Sequence, residues 1–405
     1  MHRAIVYSII VVAVLSMGNT LQAKTEGGPD SVGALLANEA SAIEQWNQGK
    51  AKLKEKTGFS FGLDYTTLFL GGTDVPGGAD DFSVGGIARA YGRWEFVNRG
   101  APNNGSLNWK IESRDSYTDI APQRFNLNIG NVGAAGPTFT DEGVRLTNLY
   151  WRQSFADDNI IGYIGYLYTS GFVDAYELAS PWSGFSNLNF GPGASTIAFP
   201  SDSAFGLMLG TWITDEFYVM GSLSDRNSDP TDPFRSAVNF FEDAEYFKSI
   251  EFGWSSSNVP YYKNNVHLTA WHIDESEATG APSGWGLNFS AAVWMNDDTI
   301  LPFLRMGYAE DAGSPSLLET SINAGVAFHV MDDKDLLGIG VNWGKPNEVV
   351  FGKGRRDQVG AEMFYRKPIG GALEVTPFVQ LLFDPALNPN EDLSAIFGFR
   401  AKVAF

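Results

Sequence analysis

The sequence predicts an all-β chain: a transmembrane antiparallel β-barrel of about 16 strands, with a short N-terminal periplasmic helix before it. Three observations carry this reading: the last strand, an export signal at the start, and a sorting of connections by length. In the last strand, Phe397, Phe399, Ala401, Val403 and Phe405 alternate with Gly398, Arg400 and Lys402. A period of two with one greasy and one charged face is a strand. An apolar face that ends on a terminal aromatic suits a strand that closes a barrel against lipid.

At the other end, His2-Arg3 precede an apolar run, Ala4–Met17, followed by the small and polar stretch Gly18–Ala23. This pattern reads as a secretory signal, residues 1–23, cleaved after Leu21-Gln22-Ala23. The apolar run is shorter than the roughly 20 residues that span a bilayer. No comparable run follows, so no transmembrane helix is expected. Residues 24–58 form a separate segment. Val32, Leu35, Leu36, Ala40, Ile43, Trp46 and Leu53 recur at helical spacing, Asp30 or Ser31 offers an N-cap, and Gly58 a stop. One amphipathic helix over 31–56 is expected, outside the barrel and packed on its periplasmic rim. A subunit-joining coiled coil is the alternative, but Glu39 and Lys50 break its seam.

The barrel domain is placed at 59–405. Its candidate strands are 59–70, 85–97, 105–117, 144–154, 159–168, 202–213, 217–225, 246–256, 265–273, 284–294, 299–309, 320–330, 336–344, 358–366, 373–383 and 393–405. Most approach the 9–11 residues that a tilted membrane strand needs. Connections after even strands are short: 98–104, 155–158, 214–216, 295–298, 331–335 and 367–372, with 257–264 the longest on that side. Connections 71–84, 118–143, 169–201, 226–245 and 345–357, all after odd strands, are long. The remaining three, 274–283, 310–319 and 384–392, are intermediate. Short periplasmic turns and long external loops give this parity. A soluble sandwich has no reason to sort its loops this way.

The faces add charge to the pattern. Arg89, Tyr91, Arg93 and Glu95 alternate with Ala88, Ala90, Gly92, Trp94 and Phe96; Asn108, Lys110, Glu112 and Arg114 alternate with Leu107, Trp109 and Ile111. Gln358, Gly360, Glu362 and Arg366 do the same against Val359, Ala361, Met363 and Tyr365. A charged side chain at the bilayer midplane costs roughly 2–4 kcal/mol, so these faces belong to the lumen. A wet lumen inside an apolar wall implies a channel in the bacterial outer membrane.

Composition narrows the classes further. The formal charge of −19 repels nucleic acid, so no nucleic-acid partner is expected. There is no cysteine, hence no disulfide framework. Aromatics at 14% and 45 glycines suit many strands, tight turns and interfacial belts. No His-Glu-x-x-His run, phosphate loop or Gly-x-Ser-x-Gly occurs. His267 and His272 fall on opposite strand faces and share no metal. The acidic turns at 332–335 and 388–392 read as solvated turns rather than metal sites. No catalytic residue, metal or cofactor is therefore assigned, and the chain is not read as an enzyme.

Several stretches resemble the OprB-type carbohydrate-selective outer-membrane porins. They are Gly171-Phe172-Val173-Asp174-Ala175-Tyr176, Gly184-Phe185-Ser186-Asn187, Ile197-Ala198-Phe199-Pro200 and Leu301-Pro302-Phe303-Leu304-Arg305-Met306-Gly307-Tyr308. The most specific are Gly360-Ala361-Glu362-Met363-Phe364-Tyr365-Arg366 and the stretch Thr376–Pro389. The resemblance implies a 16-stranded barrel that passes sugars by facilitated diffusion. One departure concerns the strand before loop 169–201. That family often places a cation after glycine there, whereas this chain has Gly162-Tyr163 and Gly165-Tyr166.

Loop 169–201 carries Phe172, Tyr176, Trp182, Phe185, Phe190 and Pro192, and is the expected inward fold that narrows the pore. Its Phe172, Tyr176 and Trp182 are candidates to stack on sugar rings. Candidate wall residues are Arg89, Arg93, Lys110, Arg114, Arg152, Arg305 and Arg400, with Glu112 and Glu362 as counter-charges. Guanidinium groups offer fixed planar donors to hydroxyl and ring oxygens. The bland alternative is that these charges only satisfy one another. Expected partners are outer-membrane lipid and small sugars or other polar solutes. Both a monomer and a homo-oligomer such as a trimer fit. The alternatives are a general or ion-selective diffusion porin and, more remotely, an outer-membrane barrel enzyme.

Overall fold

A computed structural model of the protein describes residues 27–38, 43–76, 78–256, 259–313, 316–331 and 334–405. The expected signal, 1–23, and part of the acidic turn 332–335 lie outside the described residues. Alternating apolar and polar residues build β1 (Phe59–Gly72), β2 (Phe82–Val97), β3 (Gly105–Ser116), β4 (Gly143–Phe155) and β5 (Ile160–Leu167). There follow β6 (Ala204–Trp212), β7 (Phe217–Asp225), β8 (Tyr246–Ser255), β9 (Asn265–Ile273), β10 (Gly284–Ala292) and β11 (Ile300–Glu310). The last are β12 (Leu318–Phe328), β13 (Leu336–Pro346), β14 (Gln358–Ile369), β15 (Leu373–Phe383) and β16 (Leu393–Ala404).

Each strand pairs antiparallel with its sequence neighbours, and β1 pairs with β16, so the 16 strands close into one barrel. Closure leaves no unpaired sheet edge. The last strand seals it in register, with Phe69 opposite Phe399 and Asp64 opposite Ala404. Outward positions of β16, such as Phe397 and Phe399, and Phe405 just beyond it are exposed. Inward positions, such as Ser394, Ile396 and Arg400, are buried. The start of β1, the end of β16 and the short turns share one rim, here the turn rim; the long loops share the other. No described helix is long and apolar enough to cross a membrane.

The N-terminal segment departs from the expected single helix. Helix α1 (Val32–Ala37) and helix α2 (Glu44–Thr57) are separate, and only the second lies outside. Ser31 caps α1 through the Ala34 amide, as expected, and Gly58 ends α2 with a left-handed φ of 75°. The apolar stripe is divided between two environments. Val32, Ala34 and Leu35 are buried inside the barrel, whereas no residue of α2 is buried. Instead Trp46 meets Phe61 edge-on at 5.7 Å, and Lys50 donates to the Phe405 carbonyl at 3.0 Å, which seats α2 on the turn rim.

Two loops and the N-terminal arm occupy part of the lumen. The loop between β5 and β6 folds inward through short 3-10 turns at Thr169–Gly171, Leu188–Phe190 and Pro192–Ser195. The loop between β3 and β4, expected to be wholly external, also turns in. Its helix α3 (Pro122–Asn128) and the residues after it bury Phe125, Ile129, Val132 and Phe139. The two loops bond to each other: the Leu188 amide donates to Ala134 O at 2.7 Å, and the Gly136 amide to Ser186 O at 2.9 Å. A ten-residue amphipathic pattern in the loop after β7, not anticipated, forms helix α4 (Pro233–Glu242), capped by Asp232 and started by Pro233. A short helix, α5 (Glu348–Phe351), lies in the loop after β13.

Candidate functional site

The site begins with a loop whose backbone is irregular at membrane depth. Such backbone is tolerated only where protein or water satisfies its polar groups. The charged inward faces of the wall do this. Glu362 on β14 accepts from the Ser186 amide at 2.6 Å and the Asn187 amide at 2.9 Å, and Gln380 donates to it at 3.1 Å. Arg400 on β16 donates to Pro181 O at 2.5 Å and Gly184 O at 3.0 Å. Arg305 on β11 donates to Phe190 O at 3.0 Å, to Gly191 O and to Ser290 Oγ at 3.2 Å. It also pairs with the Asp174 carboxylate and lies 4.3 Å over the Tyr176 ring.

Asp174 is the loop's own anchor. Its carboxylate, fully buried, accepts from the Gly193 amide at 2.6 Å and contacts His267 Nε2 at 2.9 Å, besides Arg305. Its amide donates to Glu251 Oε2 at 2.7 Å. The residue sits at φ 55°, a left-handed conformation that Asp tolerates better than most side chains. Burial opposes its ionisation, but Arg305, His267 and the Gly193 amide together hold its carboxyl below the usual carboxylate range.

The other wall residues pair mainly along the wall. Arg89 grips Asp64 bidentately, with both bonds at 2.7 Å, and its guanidinium lies 3.9 Å over the Trp182 ring. Arg93 donates to Asn108 at 2.8 Å, and Arg152 to Asn104 at 2.6 Å. Glu112 lies between Lys110, at 3.2 Å, and Arg114, at 2.5 Å. Arg114 also reaches Asp202 at 2.6 Å, where Arg145 joins it at 2.6 Å. All nine sequence-predicted wall residues sit on inward faces, yet they are only 1% to 8% exposed. The lumen wall here is paired and packed rather than wet.

The three predicted aromatics are likewise enclosed. Phe172 packs among Tyr150, Tyr163 and Val32. Tyr176 donates to Phe190 O at 2.9 Å beneath Arg305. Trp182 is covered by Arg89 on one side and meets Phe139 at 5.5 Å.

Open space lies above the inward loop. A cavity of about 910 Å³ is lined by Phe185, Phe199, Tyr168 and Pro192, by Ser186, Asn187, Ser195, Asn227, Ser228 and Asn239, and by Asp30, Asp202, Arg226, Arg235 and Asp243. Of that set, Phe185 and Pro192 are among the inward-loop residues the sequence marks out, and Ser186, Asn187 and Phe199 lie in the stretches that resemble the porin family. The polar lining comes from the inward loop itself, from the N-terminal arm, from strand–loop junctions and from α4, where a polar residue in a loop looks like any solvated one. Among the described residues no cluster of three or more His, Cys, Asp or Glu is placed to hold a metal.

The closed 16-strand antiparallel barrel is porin-like in fold. Residues 257–405 match the family model of the carbohydrate-selective porin, OprB family. That stretch contains the two most specific sequence resemblances, at 360–366 and 376–389. Among solved structures the chain is similar to Pseudomonas putida OprB at high pH, with a TM-score of 0.70 and 16% identity over 91% of this chain and 99% of that one. It is similar to the low-pH structure of the same protein, with a TM-score of 0.52 and 14% identity over 91% and 99%. A mutant of the Rh. blastica porin gives 0.51 and 12% identity over 86% and 100%. Likenesses at such identity concern the fold. No curated protein matches the chain in sequence.

Proposed function

We propose that the protein is an outer-membrane porin that lets small hydrophilic solutes, carbohydrates foremost, diffuse through a lumen narrowed by the inward loop. One observation carries the sugar reading: the lining of the 910 Å³ cavity. A sugar presents hydroxyls at its edge and C–H groups on its ring face. The cavity answers with neutral amides and hydroxyls, from Asn187, Asn227, Asn239, Ser186, Ser195 and Ser228, beside the faces of Phe185 and Phe199. Most wall charges are already paired, so the field left for free ions is weaker than the residue count implies. The match of residues 257–405 to a carbohydrate-selective family supports the same reading.

The test is single-channel conductance in planar bilayers, with and without mono- and disaccharides. Dose-dependent current block by a sugar is the expected result. Steady conductance that sugars leave unchanged favours a general diffusion pore, and no conductance refutes the porin reading. Lipid hydrolysis by the purified barrel would revive the enzyme alternative.

A further inference from the structure

We propose that the N-terminal arm, residues 27–38, is part of the permeation path and that Asp30 is its solute-facing, selectivity-determining carboxylate. This rests on the porin reading. The arm has a built seat inside the barrel. The Gly28 amide donates to Gly171 O at 2.8 Å, and Ser180 Oγ donates to Asp30 Oδ1 at 2.7 Å. A Cβ at Gly28 would lie 2.8 Å from both Gly171 O and the Ala175 Cβ, so only glycine permits this approach.

Beyond Asp30 the chain crosses the lumen. Val32 packs on Tyr150, Tyr163 and Phe172, and Ala34 lies with Trp212, Tyr218 and Tyr261. The same helix, α1, also touches β1, β2 and β3. It therefore bridges the wall beneath the inward loop. A solute that descends from the cavity toward the turn rim passes beside it.

Asp30 is the point where arm and cavity meet. It is half-buried and lines the cavity with Tyr168, Ser170 and Pro181. The charges that act on it come from three wall strands: Arg89 on β2, Lys110 on β3 and Lys402 on β16. Arg89 is committed to Asp64 and Lys110 to Glu112. Lys402 is half-buried and has no ion-pair partner among the described residues. One carboxylate on the arm thus lies under the influence of three wall cations, two of them already paired and Lys402 without an ion-pair partner among the described residues. Fixed charges of opposite sign on two sides of a constriction select what passes by charge and orient dipolar solutes. Burial raises the Asp30 carboxyl above the usual range despite those cations, as expected of a group held in the constriction rather than in open water.

The chain has no cysteine, so a single introduced thiol reports cleanly. Full-length D30C channels in planar bilayers are treated with small anionic and cationic methanethiosulfonate reagents, and D30N is compared with wild type in a salt gradient. Unheated gel mobility confirms that each variant is folded. D30N should lower the cation-to-anion permeability ratio by about twofold or more, as loss of one of few unpaired lining charges predicts. Modification of D30C should change the single-channel current, with opposite shifts in ion preference for the two reagents. G28V, which cannot keep the arm seated, should raise conductance. If wild type conducts but D30N keeps its ion preference and D30C current is untouched by reagents from either side, the inference is wrong and the arm is only a structural filler. If wild type itself does not conduct, the porin reading fails instead.

Discussion

The Asp174–Arg305 pair gives the sharpest quantitative expectation. Asp174 holds three partners with its carboxylate, and Arg305 holds two loop carbonyls besides it. Neither side chain is more than 1% exposed. Removing one partner of such a pair leaves the other charge buried and uncompensated, at about 3–5 kcal/mol. D174N keeps the size of the side chain and its tolerance for a left-handed φ, so its cost isolates the charge. We expect about 3 kcal/mol of lost stability, the low end of that range, because Arg305 keeps its carbonyl and Ser290 acceptors. R305M should cost a similar amount by stranding Asp174 and two loop carbonyls. The double variant should cost at least about 1 kcal/mol less than the sum of the singles, since each single penalty is largely the charge left behind. Urea unfolding of the refolded barrel in lipid vesicles, read by the mobility of unheated samples on gels, measures all four proteins. Single variants within about 0.5 kcal/mol of wild type, or strictly additive singles, would refute the latch.

Three other outcomes are expected. E362Q leaves the Ser186 and Asn187 amides with a weaker acceptor, so it should loosen the inward loop and give noisier, larger single-channel currents from a folded barrel; unchanged currents would show that the loop is held elsewhere. Epitope tags in 226–245 should be labelled on intact cells and tags in 98–104 should not; the reverse would invert the topology. Acidification should act in two stages. The Asp30 carboxyl is raised by burial, so it takes up its proton above the usual carboxylate range, and selectivity should shift toward that of D30N there. The folded state then binds more protons than the unfolded, so this group favours the fold as pH falls. Asp174 is held below the usual range, so its stabilisation is present above the unfolded pKa and is lost only as pH falls through the lower folded value. A loop that opens before selectivity changes would contradict this order.

Much of the barrel was legible because lipid imposes a simple rule on alternate residues. The expected ranges for β7, β9 and β15 coincide with the observed ones. Where boundaries moved, the alternation had weakened: β2 starts at Phe82, ahead of Gly85-Gly86, which carry no side chain to signal a face. Inward placement of Arg89, Arg305 and Glu362 was equally legible. Their partners were not, because hydrogen bonds between β11 and residue 174, or β14 and residue 186, follow from how a loop folds back through the lumen. The second inward loop did carry a hint. Phe125, Ile129, Val132 and Phe139 are too apolar for a solvated external loop, and all four are buried. Helix α4 was missed, although Asp232-Pro233, an N-cap followed by a first-turn proline, marks its start. Helical spacing in 31–56 hid the division of the N-terminal segment, because a single stripe can serve two different surfaces in turn.

The charged lumen thus has two tasks that compete for the same side chains. A loop backbone carried through the membrane interior needs donors and acceptors from the wall, and Arg305, Arg400 and Glu362 supply them. A side chain bound in this way has little freedom to greet a solute. On the proposed reading, selectivity then falls to groups that line the remaining space, the cavity residues and Asp30 on the arm. The distinction has a practical consequence for mutagenesis. Loss of permeation control on replacing Arg305 reports a displaced loop unless stability is measured alongside, whereas a change in ion preference at Asp30 in a barrel of unchanged stability reports the path itself.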